Sequence, residues 1–370
     1  MRPTFRVAGA VVLGAVLYLY GATSEVVWLF LLAYWSWTFA VAMLVYATWN
    51  RNGVEASVRL TGIEVAEGSP VSELPEAVLR TAPLPGPLFE GDRATVACVL
   101  AAPRGVRGPA RAAAWVAGQV LRVGVGVVPR EGVRVERGGV ELRRGVLGVD
   151  RIEVETSDPL GFFTARQPGH AGELALVFPR LTALSPDPRQ RELEASAPAP
   201  RAGAGSELFG VREYRPGDPL RRIHWRLSAR RAGLVVREFE PPGLRTLLVV
   251  LDSQPAPEAA DQAARIAASE AWDCVRAGGR AALWAPGLQP TGAERELWPL
   301  LEWLARWPAL PSQSDDAPWA GEVVAVTTTG EAVTTLDGLG RGATARGWAV
   351  GEVALATDLP LRSAGLEWPL

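Results

Sequence analysis

Two long apolar runs stand at the start of the chain, before any strand-like pattern. Residues 5–22 are apolar apart from Arg6, and residues 26–48 form a second apolar run. A bilayer core needs about 20 apolar helical residues, so the second run is long enough to cross it. The polar segment 21–25 between the runs predicts a tight turn. The pattern therefore predicts a transmembrane helical hairpin over residues 1–50; a buried helical pair in a soluble protein fits such long runs less well.

The charges beside the two runs predict the orientation of this hairpin. Arg2 and Arg6 precede the first run, Arg51 follows the second, and the turn carries only Glu25. Arginine is enriched on the cytoplasmic side of membrane helices. We therefore expect both termini and the soluble domains to be cytoplasmic, with the hairpin in the cytoplasmic (inner) membrane.

Residues 51–180 have the alternation of apolar and polar positions that is typical of half-buried strands. Glycine and proline separate the alternating runs, and no helix-period run intervenes. Short alternating strands are best buried as two antiparallel sheets, so we expect a β-rich, sandwich-like domain. The predicted strands span residues 54–60, 93–99, 120–128, 133–136 and 152–155.

The second half of the chain changes pattern twice. Residues 181–204 are rich in proline, alanine and charge, and predict a linker. Residues 247–251 are continuously apolar, as in a strand buried on both faces. Beyond them, helix-like runs at 257–277, 294–307 and 331–339 alternate with strand-like runs at 280–284, 323–327 and 348–355. This alternation favours a doubly wound α/β domain with a mostly parallel sheet, over residues 205–370.

The most distinctive stretch of the chain is the run from 205 to 230, which mixes arginine with aromatic and acidic residues. Residues 201–245 hold ten arginines and five carboxylates. A solvated basic tail would lack the aromatic rings. We therefore expect an ordered segment in which guanidinium groups stack on rings and pair with carboxylates. The residues of interest are Arg212, Glu213, Tyr214, Arg215, Gly217, Asp218, Arg221, Arg222, His224, Trp225, Ser228 and Arg230.

This stretch resembles the signature of the bacterial family catalogued as domain of unknown function 58. The matching words are Gly205 to Tyr214, Pro216-Gly217-Asp218, Arg221 to Trp225, Ser228-Ala229-Arg230 and Asp252-Ser253, with one residue inserted at Leu208-Phe209. The segment 137–163 is similar to the part of the family that precedes the signature. Its Asp158-Pro159 pair is typical of a turn capped by the aspartate side chain.

The resemblance implies a von Willebrand factor A-like fold for the C-terminal domain, and with it a possible metal loop. Such domains hold a divalent cation with Asp-x-Ser-x-Ser after the first strand. Here the sequence is Asp252-Ser253-Gln254-Pro255-Ala256, and no aspartate follows the strand at 323–327. One carboxylate with hydroxyls could still bind Mg²⁺. The favoured interpretation is that Asp252 caps the strand-to-helix turn, so we expect no cofactor; Mg²⁺ at the degenerate site formed by Asp252 and Ser253 is the less favoured alternative.

Composition narrows the chemistry further. All 38 basic residues are arginine, so the chain has no lysine for a Schiff base or a P-loop. Two cysteines and two histidines do not provide a disulfide framework or a zinc site. Asp218, His224 and Ser228 could suggest a hydrolase triad, but Ser228 lacks the Gly-x-Ser-x-Gly setting of such a nucleophile.

The arginine cluster leaves three interpretations open. It could clamp the segment internally by ion pairs and stacking, dock another protein, or bind an anion such as phosphate, nucleic acid or a lipid headgroup. No recognised nucleic-acid module accompanies it, which makes nucleic acid the weakest candidate. The family resemblance implies MoxR-type AAA+ ATPases and neighbouring membrane proteins as partners. We therefore predict a membrane-anchored, non-enzymatic adaptor in chaperone-like assembly or remodelling; the alternatives are a metal-dependent hydrolase using Asp252 and an anionic-ligand binder.

Overall fold

The computed structural model of the protein describes residues 1–184, 246–312, 321–339, 345–353 and 357–367, together with Ser228 and the backbone of two strands at 208–213 and 235–239. The chain forms two compact units, residues 1–179 and 180–370.

Two antiparallel helices open the N-terminal unit: α1 (Phe5–Ser24) and α2 (Val27–Arg51). Both are long and apolar enough to cross a membrane. Their contact seam is made of small residues at seven-residue spacing, namely Gly14 and Gly21 on α1 and Ala33, Ala40 and Ala47 on α2. Small residues at a helix seam let the two backbones approach closely.

Polar groups inside the hairpin find partners within it. Ser36 Oγ donates to the Ala10 carbonyl at 2.8 Å, and Trp37 Nε1 donates to the Val11 carbonyl at 3.3 Å. Thr38 Oγ1 donates to the Tyr34 carbonyl of its own helix at 2.8 Å. In a hydrocarbon environment, polar groups must find their hydrogen-bond partners within the protein.

The predicted turn at 21–25 is longer than the real one. Helix α1 continues through Gly21 to Ser24, and the chain reverses only at Glu25, which has a left-handed φ of 54°. The hydroxyls of Thr23 and Ser24 donate back to the Tyr20 carbonyl at 3.0 and 2.6 Å. The hydroxyls of these polar residues therefore find hydrogen-bond partners within the helix, and α1 continues through them. The apolar pattern alone could not show this.

The rest of the N-terminal unit is a pair of antiparallel sheets. One sheet has the strand order β2-β3-β6, and the other has the order β1-β8-β7-β4-β5 with β9 also paired to β7. The strands are β1 (Arg2–Pro3), β2 (Glu55–Glu64), β3 (Arg93–Ala101), β4 (Ala110–Val116), β5 (Gln119–Val125), β6 (Val133–Glu141), β7 (Gly145–Ser157), β8 (Phe163–Pro168) and β9 (Glu173–Val177). A one-turn helix, α3 (Glu76–Leu79), lies between β2 and β3.

One core joins the two sheets. Val58, Val96 and Val140 of the first sheet share it with Leu121 and Val154 of the second. The strands β1, β4, β8 and β9 were not predicted. In β4 three of the four buried positions are the alanines 110, 112 and 114, whose small side chains give weak contrast with their neighbours.

Cys98 lies in this core, and its thiol should be unreactive in the folded protein. Burial raises the pKa of its thiol from the ordinary 9.0 to about 11. The thiolate is the reactive form, so we expect no labelling by N-ethylmaleimide at pH 8 until urea unfolds the unit. Because the folded pKa is raised, this thiol leaves stability unchanged below pH 9.0 and lowers the free energy of unfolding as pH rises toward 11. Rapid labelling of the native protein at Cys98 would contradict this burial.

The C-terminal unit contains a five-stranded, fully parallel sheet with the order β13-β12-β14-β15-β16. The strands are β12 (Thr246–Leu251), β13 (Arg280–Trp284), β14 (Glu322–Thr327), β15 (Ala345–Val350) and β16 (Leu361–Ala364). The helices are α4 (Ala260–Arg276), α5 (Leu297–Arg306) and α6 (Glu331–Gly338). Strand β15 begins three residues before the predicted 348, and β16 was not predicted.

Both faces of this sheet are covered. Every residue from Leu247 to Leu251 is buried, although successive side chains of a strand point to opposite faces. On one face, Ala332 and Leu336 of α6 pack with Leu248 and Val250. The observed sheet and helices confirm the predicted α/β class.

Two parts of the chain precede this sheet. Leu181 is buried, the Thr182 amide donates to Ser269 Oγ at 3.1 Å, and the Leu184 amide donates to Asp273 Oδ2 at 3.1 Å. The first residues of the predicted linker thus lie on α4, and 185–204 are outside the described residues. Further on, β10 (Leu208–Glu213) pairs antiparallel with β11 (Val235–Phe239).

Candidate functional site

The carboxyl ends of β12 and β14 form the position in the sheet where a ligand is expected. The chain passes from β12 to β13 on one side, and then to β14 on the other side of β12. Open α/β sheets bind ligands outside the strand ends at such a reversal of strand order. Asp252 follows β12 here, Thr327 ends β14, and Thr328 to Glu331 follow it. This sheet edge is therefore the expected position of a functional site.

Asp252 at this edge is buried and receives five hydrogen bonds. Its Oδ1 accepts from Thr327 Oγ1 at 2.8 Å and from the Ala332 amide at 2.9 Å. Its Oδ2 accepts from the amides of Thr328 and Thr329, at 2.6 and 2.9 Å, and from Thr328 Oγ1 at 2.9 Å. The Ala332 amide belongs to the first turn of α6, where the helix dipole also favours a negative charge. Asp252 therefore anchors the β14–α6 loop to the end of β12.

Glu331 makes the reciprocal connection. Its Oε2 accepts from the Ser253 amide at 2.7 Å, and its Oε1 accepts from Ser253 Oγ at 2.6 Å. Asp252, at the end of β12, thus accepts hydrogen bonds from the segment after β14. Glu331, after β14, accepts hydrogen bonds from Ser253 in the segment after β12. Glu331 was not predicted as a site residue, although an acidic residue at a helix start was a usable signal.

The donors around Asp252 do not fit a cation at that carboxylate. A metal ion would have to replace hydrogen bonds that satisfy three backbone amides and two hydroxyls. Ser253 Oγ is also directed to Glu331. Among the residues the structure describes, no group of three or more histidine, cysteine or acidic side chains could hold a metal. The geometry favours the turn-capping role of Asp252 over the role of metal ligand.

We accordingly expect isothermal titration of the full chain with MgCl₂ or MnCl₂ to give no binding heat at millimolar metal. Hydrogen bonds from five donors already compensate the Asp252 charge, so a hard cation gains little there. Saturable heat that disappears in an Asp252→Asn variant would show that the loop opens to admit a metal.

The predicted signature residues lie largely outside the described part of the chain. Arg212 and Glu213 are in β10, opposite Val236 and Val235 of β11. Ser228 is helical and buried. The structure gives no arrangement for Tyr214, Arg215, Gly217, Asp218, Arg221, Arg222, His224, Trp225 and Arg230, which lie outside the described residues.

A second site of interest, which sequence reasoning missed, is the junction between the hairpin and the sheets. Asn50, in the last turn of α2, is completely buried. Its Nδ2 donates to the carbonyls of Pro109 and Ser157 at 3.2 and 2.9 Å, and its Oδ1 accepts from the Gly108 amide at 2.8 Å. One amide side chain therefore connects the end of α2 to two separate loops. The only sequence signal for this junction was an asparagine at the end of an apolar helical run.

The same junction has a second contact on the α2 side. The Arg107 guanidinium lies 3.8 Å from the centre of the Trp49 ring, which is the geometry of a cation–π contact. Gln167 Nε2 donates to the carbonyls of Arg51 and Val54 at 3.1 and 3.0 Å. The side chains of Arg107 and Gln167 thus hold the end of α2, in addition to Asn50 of the helix itself.

Replacing Asn50 with alanine should loosen this junction. The change leaves two carbonyls and one amide without their partner, which we expect to cost about 3 kcal/mol of stability. Asn52→Ala is the matched control because Asn52 is exposed. Hydrogen exchange at the Gly108 amide in detergent micelles measures the effect, and equal protection in the two variants would contradict the assigned role of Asn50.

The β7–β8 loop holds the start of α1 in the same way. Asp158 accepts hydrogen bonds from the amides of Leu160 and Phe163, at 3.0 and 2.6 Å, which confirms the predicted capped turn. This turn presents its carbonyls to the helix: Thr4 Oγ1 donates to Gly161 at 2.7 Å, and the Arg6 guanidinium donates to Leu160. The segment that resembles the family's pre-signature region is thus a docking point for the hairpin.

The fold defines a two-unit protein in which an apolar hairpin is fixed to antiparallel sheets and followed by a parallel α/β sheet. The model of the family described as "Protein of unknown function DUF58" matches residues 210–295, which include Asp252. A similar curated relative is "Uncharacterized protein YeaD" of Bacillus subtilis (strain 168), with 27% identity over 162 residues. The match covers 43% of this chain and 39% of that relative. The match at residues 210–295 confirms the predicted resemblance to the DUF58 family over that segment.

Proposed function

We propose that this protein is a membrane-anchored adaptor that acts with a MoxR-type AAA+ ATPase in assembly or remodelling of other proteins. Its hairpin spans the cytoplasmic membrane, and both soluble units are cytoplasmic. Its C-terminal unit is a von Willebrand factor A-like domain without a working metal loop. The chain has no lysine for a P-loop, so the partner supplies the energy of ATP hydrolysis.

The observation that carries this proposal is the fixed attachment of the hairpin to the sheets. A flexible tether would only localise the soluble part, whereas Asn50, Arg107 and Thr4 hold it at both helix ends. Force or rotation applied to the soluble unit could therefore reach the helices. Such an arrangement suits a scaffold that transmits a partner's work to membrane-embedded clients.

The sheet edge supports a binding role over a hydrolytic one. Asp252, the carboxylate a metal-dependent hydrolase would use, is committed to five protein donors. The exposed residues at this edge, Gln254, Pro257, Glu258 and Thr329, surround that braced loop pair. A rigid loop pair of this kind offers a fixed surface to a protein partner, because little ordering entropy is lost on binding.

The anchor and its orientation can be tested with single cysteines in whole cells. The native thiols can stay, because both are buried. A membrane-impermeant maleimide should label Thr23→Cys, in the last turn of α1, from outside the cell. It should label Glu131→Cys, which is exposed in the N-terminal unit, only after lysis. The opposite pattern, or labelling of both in intact cells, would refute the proposed topology.

The partner can be tested by affinity capture of the full chain from detergent-solubilised membranes with a non-hydrolysable ATP analogue. We expect a MoxR-type ATPase to be recovered, and recovery to fall at least about tenfold in a Gln254→Arg/Thr329→Arg variant, since a new charge in a docking face is costly to bury. The variant Arg122→Gln, on an exposed position of β5, is the control. Equal recovery in all three would remove the sheet edge as the docking face.

A further inference from the structure

A cavity of about 660 Å³ lies where α1 begins, between the first residues of that helix and strands β4, β5, β7 and β8. Its lining includes Arg6, Arg111, Thr156 and Gly161. Cavities of this size are in the range that binds small organic groups. The site is separate from the sheet edge of the C-terminal unit, and nothing in the proposed adaptor role uses it.

The charge in this cavity is positive. Arg111 makes no ion pair among the residues the structure describes, and Arg6 contacts only a carbonyl and the ring of Phe5 there. Glu155 also lines the cavity, but its Oε2 is bonded to Arg166 Nε at 2.8 Å. The two arginines are therefore available to an anion, and the one carboxylate is already neutralised.

One further feature of the lining favours an anion with oxygen acceptors. The first turn of the 20-residue helix α1 also meets the cavity, through Thr4, Phe5 and Arg6. The amides of a first helical turn bind phosphate oxygens well.

The position of the cavity specifies where that phosphate comes from. It lies at the first residues of a membrane-spanning helix, at the level where headgroups meet the hydrocarbon core. Two large apolar side chains flank it on the outside, Phe5 at 84% exposed and Leu160 at 46% exposed. Such side chains suit lipid tails, while the arginines suit the headgroup.

We propose that this cavity binds the phosphate of an anionic phospholipid, with Arg6, Arg111 and the α1 amides as its ligands. This inference rests on insertion of the hairpin, which is part of the proposed function. A bound lipid at this point would join α1, the β7–β8 loop and the membrane surface. It would make the seating of the sheets on the bilayer sensitive to lipid composition.

The test uses the full chain in nanodiscs of phosphatidylcholine with increasing phosphatidylglycerol, and counts retained lipids by native mass spectrometry. We expect wild-type protein to retain phosphatidylglycerol selectively. Arg111→Gln should weaken retention about tenfold, which is the value of one charge-assisted hydrogen bond. Arg122→Gln, the same change on the neighbouring strand β5 outside the cavity lining, should retain the lipid as wild type does.

Thr156→Val is a second control, because this side chain is 1% exposed and lies on the face of β7 opposite to Glu155 and Arg111. The variant should retain phosphatidylglycerol as wild type does. A parallel arm adds soluble glycerol 3-phosphate to protein in phosphatidylcholine nanodiscs. Displacement of phosphatidylglycerol only at high concentrations of this compound supports a lipid site, while tight binding of the compound itself would indicate a soluble anion and overturn the lipid assignment.

The outcomes also separate this inference from the proposed function. Protein that inserts but retains both lipids equally, or that responds identically to Arg111→Gln and Arg122→Gln, overturns the lipid site and leaves the adaptor untouched. Protein that fails to enter nanodiscs or to float with vesicles overturns both.

Discussion

Replacing Asp252 with alanine should lower the free energy of unfolding of the C-terminal unit by about 4 kcal/mol. The substitution removes an acceptor from five donors, which are the amides of Thr328, Thr329 and Ala332 and two threonine hydroxyls. Three of those bonds involve backbone amides that no other group can satisfy in place. The β14–α6 loop should therefore detach from the end of β12.

Hydrogen exchange of the full chain in micelles measures this effect residue by residue. In Asp252→Ala the amides of Thr328 and Ala332 should lose protection first, followed by those of β12 and β14. Ser253→Ala is the matched control, because it removes only one hydroxyl bond, to Glu331, and should cost about 1 kcal/mol. Similar losses in the two variants would show that Asp252 is not the anchor of the edge.

The second large effect should come from Arg346, which crosses from β15 to α4. Its Nη2 lies 2.7 Å from Glu270 Oε2 and 3.2 Å from Glu322 Oε1, and Trp348 Nε1 donates to Glu270 Oε1 at 2.7 Å. Burial lowers the pKa of the guanidinium, but the bonds and charges of Glu270 and Glu322 outweigh burial and raise it. Arg346→Met would leave the nearly buried Glu270 carboxylate without its ion-pair partner, which should lower the free energy of unfolding by about 3–5 kcal/mol.

Two variants define that cost. The double substitution Glu270→Leu/Arg346→Met removes both charges and should recover at least half of the lost stability, since a buried pair can often be replaced by apolar side chains. Arg276→Met breaks the more exposed Arg276–Asp273 pair of the same unit and should cost under about 1 kcal/mol. Urea unfolding of the full chain in micelles compares all three. If the single and double variants are equally unstable, the unpaired Glu270 carboxylate is not the cause.

The sequence predicted those elements whose pattern is set by burial along one strand or helix. The parallel strand at 247–251 was visible because both of its faces are covered, so every residue is apolar. Helix α4 was visible because its small residues recur on one side. The hairpin was visible from length and hydropathy alone. In each case local composition carries the information.

The contacts that organise the two candidate sites could not be predicted in this way. Asn50 meets Ser157 across 107 residues, and Asp252 meets Thr328 across 76. Pairings of this kind depend on where the fold brings distant loops, and the residues themselves have no distinctive spacing. The metal motif was likewise ambiguous, because the donors that occupy Asp252 belong to a loop far along the chain.

Crosslinking with mass spectrometry on native membranes, with the full chain as bait, tests the adaptor proposal most directly. The account predicts recovery of a MoxR-type AAA+ ATPase, with crosslinks to residues around Glu258 at the sheet edge or within the 212–240 segment. Recovery of the bait with crosslinks only to itself and to lipid, under conditions that preserve other membrane complexes, would contradict it.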